Sequence, residues 1–187
     1  MIDHYEWHKA VHGQLGVESI LQPDAGLRAM LASLPQQGRL WVFTNADETH
    51  AESCLAALGV RDLFAGVVAF EHMQEFAKSR PHLLPRPGAV LCKPSPLAFH
   101  AALQMVGGAS AETTVFLDDS ARNIAGAAAA GIRACLVGSP TLCEGAIAAV
   151  EDVRELPKAM PELWATKLAS TLSSAALSAA APAEEAV

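Results

Sequence analysis

Apolar residues recur along this chain in two rhythms: short unbroken runs, and residues spaced three or four apart that follow them. Leu27, Met30, Leu31 and Leu34 keep helical spacing until Pro35 and Gly38 interrupt it, which predicts a helix over 24–34. Leu40-Trp41-Val42-Phe43 is a four-residue apolar run that stops at Thr44-Asn45. A second helical pattern then passes through Ala51, Cys54, Leu55 and Leu58 to Gly59. The reading is strand, tight turn, helix. Asn45, three residues before Glu48, fits the helix start, its side-chain oxygen accepting a backbone N–H of the first turn. Gly66 to Phe70 reads as the next buried strand. From Glu71 to Gly88 the charged and histidine residues and three prolines predict a surface loop.

The rest of the chain repeats the unit. Ala89 to Pro94 is expected to be extended, because a residue before proline is pushed out of the helical region. Pro96–Val106 reads as a helix, Thr113–Leu117 as a buried strand, and Ser120–Ala130 as a small-residue helix closed by Gly131. Ile132–Val137 and Ala146–Val150 read as strands and Val153–Met160 as a last helix. Strands alternating with helices predict a doubly wound, parallel α/β sheet, in which ligands bind beyond the carboxyl ends of the strands. The flanks differ from this pattern. Asp3 to Leu15 is polar, aromatic and histidine-rich, a short helix that packs on something else, and the alanine- and serine-rich stretch after Trp164 reads as disordered or a frayed helix.

Composition narrows the function. At 187 residues, 51% of them hydrophobic, the chain is long and apolar enough for one domain with a sizeable core. No apolar run approaches the roughly 18 residues of a membrane span. A formal charge of -7 leaves no diffuse basic field for nucleic acid or an anionic lipid surface, so any phosphate site must be local. Cys54, Cys92, Cys135 and Cys143 lack zinc-site spacing and are too sparse for a disulfide scaffold, so they read as reduced, intracellular thiols. The acidic, aromatic amino terminus has no signal-peptide pattern. Together these features lead to an expected cytoplasmic location.

Three polar groups stand where apolar strands stop: Thr44-Asn45, Lys93 and Asp118-Asp119. Each has an ordinary reading taken alone, as a helix cap or a solvated lysine. Two adjacent carboxylates at the end of a buried strand repel each other unless a cation lies between them, which favours a metal site. Asn123 lies four residues past Asp119 on the same helical face, close enough to orient a bound metal or its carboxylate.

A hydrophobic strand ending in Thr-Asn, a lone Lys-Pro, and a strand ending in Asp-Asp resemble the haloacid dehalogenase superfamily of Mg²⁺-dependent phosphohydrolases. Val42 to Asp47, Val90 to Ser95, Phe116 to Asn123 and Met160 to Trp164 are similar to its pyrimidine 5'-nucleotidase-like branch in plants and fungi. Val11-His12-Gly13 is similar to the end of that branch's helical cap, although Leu15-Gly16-Val17 departs from the Leu-Pro-Tyr that usually follows. The resemblance implies a remnant of helical cap over 1–20, a core over 21–165 and a tail over 166–187.

It also implies roles. Thr44 would donate its hydroxyl to a phosphoryl oxygen with Asn45 beside it, and Lys93 would neutralise the phosphate and the attacking carboxylate. Asp119 would bind Mg²⁺, supported by Asp118, with Asn123 orienting the site. The substrate would be a small phosphorylated metabolite, nucleoside monophosphates first. The family's first motif, a strand ending in Asp-x-Asp whose first carboxylate attacks phosphorus, is absent from all 187 residues. The chain is therefore expected to be inactive, a member lacking its amino-terminal part and the central strand between those ending at Thr44 and Asp118. The competing expectation is a non-catalytic module that binds phosphate, metal or a partner.

Overall fold

A computed structural model of the chain describes residues 16–35, 38–84, 86 and 88–165. The expected helix at 3–15, the Val11-His12-Gly13 motif and the tail lie outside these residues. In chain order the helices and strands are α1 (Val17–Ile20), α2 (Ala25–Ala32), β1 (Leu40–Phe43), α3 (Glu48–Ala57), β2 (Phe64–Val68) and α4 (Phe70–Lys78). They continue as α5 (Pro96–Met105), β3 (Val115–Asp118), α6 (Ala121–Ala129), β4 (Arg133–Val137), β5 (Ala146–Val150) and α7 (Leu156–Ala159).

Among the described residues all strand pairs are parallel, as the alternation of strands and helices predicts. They form two sheets: β1 pairs with β2, and β3, β4 and β5 pair in that order. Phe43 lies opposite Val68, and Asp118 opposite Leu136, so each sheet brings its strands to a common carboxyl end. Among the described residues β1 and β3 are not hydrogen-bonded to each other.

What joins the two sheets is α5. Its buried Ala98, Ala101 and Ala102 pack with Val68, Met73 and Leu91 beside β2, while Phe99 and Leu103 pack with Ile124, Ala134 and Leu136 beside β3 and β4. Phe43 touches both groups. Phe99 lies edge-on to Phe43 at 5.5 Å and to Phe116 at 5.0 Å between ring centroids, in the T-shaped arrangement that opposes ring edge to ring face. A third cluster, Cys135, Val150, Leu156 and Met160, seals the far side of β4 and β5.

Two sequence expectations are corrected. The region from Glu71 onward is not all loop: Phe70–Lys78 forms α4 and buries Phe70, Met73 and Ala77 on one side. Those residues recur at helical spacing, and every proline of the region lies at 81 or beyond, so the composition of the whole stretch concealed a helix at its start. The preceding strand ends at Val68 rather than Phe70, because Ala69 becomes the residue before α4 and its N–H donates to His72 Nδ1 at 3.1 Å. Second, α3 is capped by Asp47, not Asn45. Asp47 Oδ1 accepts from the His50 N–H at 2.8 Å.

Candidate phosphate and metal site

The site begins where β1 ends. The Thr44 N–H donates to the Val68 carbonyl at 3.0 Å, carrying the parallel pairing one residue beyond the strand. The Thr44 hydroxyl accepts from the Ala46 N–H at 3.0 Å, which leaves the hydroxyl's own proton free to donate. Beside Thr44, between β1 and α3, opens a cavity of about 280 Å³ whose lining includes Val42, His50, Cys54 and Leu55. Burial pushes the Cys54 thiol above the ordinary cysteine range, so it stays protonated at neutral pH.

Asn45 has a role that its place in the sequence does not suggest. Its carboxamide donates to the Lys93 carbonyl and accepts from the Lys93 N–H, both at 3.0 Å, across 48 residues of chain. Gln74, on α4, does the same for Leu91, donating at 2.9 Å and accepting at 3.2 Å. Among the described residues the extended segment before Pro94 pairs with no strand. Two side-chain amides, on alternate residues, supply the bonds that a neighbouring strand would otherwise give. The Lys93–Pro94 peptide is cis.

Held in this way, Lys93 sends its side chain between the two sheets. Its ammonium donates to the Phe43 carbonyl at 2.9 Å and to Asp118 Oδ2 at 2.7 Å, and it lies about 5 Å from the ring centroids of Phe43 and Phe116. Both side chains of the ion pair are more than nine-tenths buried. The other Asp118 oxygen accepts from the Ser120 N–H and from Asn123 Nδ2, each at 2.9 Å. Asp118 is thus fully engaged, and the cation at its side is Lys93. Asn123 does orient a carboxylate, that of Asp118.

Asp119 differs from its neighbour. It is exposed, with no hydrogen bond or ion pair to any described residue. The ends of β1 and β3 therefore gather a hydroxyl proton on Thr44, an ammonium on Lys93 with one N–H to spare, and an unpaired carboxylate on Asp119. Among the described residues no group of three or more His, Cys, Asp or Glu side chains is gathered to cage a metal by itself. Of these groups Asp119 alone could ligate a cation, and a single carboxylate is compatible with Mg²⁺, which keeps several waters and is usually held by one or two carboxylates together with phosphate oxygens.

Of the residues singled out in the sequence, Lys93 is bonded to Asp118 and to the end of β1 next to Thr44, Asn123 is bonded to Asp118, and Asp119 follows Asp118 in the chain. Sequence reasoning missed Gln74, which falls in the stretch read as loop. It also missed Gly126, which lies under the Lys93–Pro94 turn.

The sequence profile of the haloacid dehalogenase-like hydrolases matches residues 3–131, well over half of the chain. The chain belongs to this haloacid dehalogenase-like hydrolase family. Phosphate metabolism protein 8 of Saccharomyces cerevisiae is 28% identical over 135 residues, which cover 70% of this chain and 39% of the yeast protein. Among solved structures, the putative hydrolase YfnB of Bacillus subtilis, bound to magnesium, matches with a TM-score of 0.56 at 21% identity, covering 72% of this chain and 53% of that one. The L-2-haloacid dehalogenase of Xanthobacter autotrophicus, with chloropropionic acid covalently bound, matches at 0.55 and 18%, covering 73% and 60%. At these identities the two structures establish the fold. The chain spans about two fifths of the yeast relative and under two thirds of both structures. No helix among the described residues is long and apolar enough to cross a membrane.

Proposed function

We propose that this chain carries the phosphate- and metal-binding part of a Mg²⁺-dependent phosphomonoesterase for small phosphorylated metabolites, nucleoside monophosphates first. The observation that carries this reading is the buried Lys93 ammonium, held between the ends of the two sheets with one donor unspent. An anionic phosphoryl group needs cations and donors that offset its charge. Lys93 supplies the fixed cation, Thr44 the hydroxyl donor, and Asp119 the carboxylate that would hold Mg²⁺. Bound Mg²⁺ would withdraw charge from the phosphoryl oxygens. Asp118 and Asn123 orient the ammonium rather than touch the substrate, and Asn45 fixes the backbone from which Lys93 projects. The nucleotide assignment rests on the runs similar to the pyrimidine 5'-nucleotidase-like branch, and the yeast relative's name, phosphate metabolism, agrees with phosphate chemistry.

With no Asp-x-Asp in its 187 residues, the chain has no attacking carboxylate of the family's type, and alone it binds phosphate without transferring it. The purified chain with Mg²⁺ and p-nitrophenyl phosphate is expected to show no turnover above buffer, yet to bind inorganic phosphate in a calorimeter. Thr44→Val should weaken that binding about tenfold or more, because a hydrogen bond to a charged group contributes roughly 1.5–3 kcal/mol. Hydrolysis that disappears in Asp119→Ala would overturn the inactivity, and a wild-type chain blind to phosphate would overturn the site.

A further inference from the structure

We infer that Gly126 on α6 and Asn45 after β1 are positioning residues that clamp the Lys93–Pro94 turn and so set the Lys93 ammonium. From Ala125 to Ala130 every residue except Gly126 is alanine. Gly126 has no left-handed backbone to require glycine, and glycine inside a helix is less favourable than alanine. The reason for glycine is space. A Cβ at this position would stand 2.0 Å from the Pro94 carbonyl oxygen, 2.9 Å from the carbonyl carbon and 3.1 Å from the Phe99 ring. The first two are backbone atoms and cannot rotate aside, so the turn itself would have to move.

The turn is also held by the Asn45 carboxamide, through both backbone groups of Lys93. The same segment that presents Gly126 begins with Asp118, the carboxylate that receives the ammonium. Its first turn fixes that carboxylate through Ser120 and Asn123. The unit of β3 followed by α6 therefore carries both the acceptor for the Lys93 side chain, at the strand's end, and the surface on which its backbone rests, on the helix. A Cβ on Gly126 moves the second relative to the first. It also presses on Phe99, which packs on Phe43 and Phe116, the rings beside the ammonium.

The consequence for phosphate rests on the proposed role of Lys93, whereas the clamp can be read by itself. Lysine-selective ¹⁵N labelling of the full chain gives ammonium signals, and that of Lys93, buried and bonded to two acceptors, is expected to be protected from exchange. Its assignment is its absence from Lys93→Met. In Gly126→Ala the signal should be lost to exchange while the amide signals of β4 and β5 stay in place, and in Ala129→Ser, on the exposed side of α6, it should be unchanged. A wild-type Lys93 signal surviving in Gly126→Ala overturns the clamp. Should Gly126→Ala fail to fold, Asn45→Ala, which adds no bulk, is read the same way: loss of the signal supports the clamp and an unaltered signal overturns it. Phosphate binding is measured separately on the wild-type chain, so failure of the phosphate reading appears there and failure of the clamp appears in the Lys93 spectrum.

Discussion

Replacing Lys93 with methionine is expected to lower the stability of the chain by about 3–5 kcal/mol, the usual cost of removing one partner from a buried ion pair. The methionine fills much of the lysine's volume, so packing loss contributes little. What remains is the Asp118 carboxylate, more than nine-tenths buried between two sheets with its charge uncompensated. Ser120 and Asn123 still donate to it, and they offset part of the cost. Adding Asp118→Asn to Lys93→Met should recover most of the loss, since a neutral amide needs no cation. Urea unfolding of the two single variants and the double variant measures the coupling. A loss below about 1 kcal/mol in Lys93→Met, the value of a solvent-exposed pair, would mean that the ammonium is not held where the structure places it.

Phe99→Ala is expected to cost a comparable 3–5 kcal/mol, the range for truncating a buried aromatic residue. Its effect should also be uneven. No hydrogen bonds join β1 to β3 among the described residues, so the contact between the sheets depends on Phe99 with Phe43 and Phe116, on α5 and on Lys93. Removing the central ring leaves a cavity at that seam. Amide hydrogen exchange should then quicken more in β1 and β2 than in β4, which stays covered by the clusters on both of its sides. Equal acceleration everywhere would mean that the two sheets behave as one cooperative unit without the aromatic contact.

Much of this arrangement is legible in the sequence for a definite reason. Every strand is a short apolar run and each of the longer helices except α4 carries a recognisable period or stop signal, so elements and their parallel order follow from local pattern. Strand ends are legible too, because Thr44 and Asp118-Asp119 interrupt apolar runs, whereas the run before Lys93 is extended but not a strand. Pairings across long stretches of chain are not legible. Asn45 satisfies the helix-start pattern equally well, and only the fold reveals that its amide is spent on Lys93 while Asp47 caps α3. The Asp-Asp pair invited a cation, but sequence does not distinguish a metal from the ammonium that Asp118 receives. Gly126 looks like one more small residue in an alanine-rich helix until the Pro94 carbonyl is seen beneath it.

Calorimetric titration of Mg²⁺ into the chain, with and without inorganic phosphate, tests most directly whether the ends of β1 and β3 form a joint phosphate and metal site. Mg²⁺ should bind more tightly with phosphate present, and by linkage phosphate should gain the same factor from Mg²⁺. Asp119→Ala, which removes an exposed carboxylate with no partner among the described residues, should abolish that coupling while the protein melts as the wild type does. Mg²⁺ and phosphate binding that remain coupled in Asp119→Ala, or that are independent in the wild type, would contradict the assignment of the site.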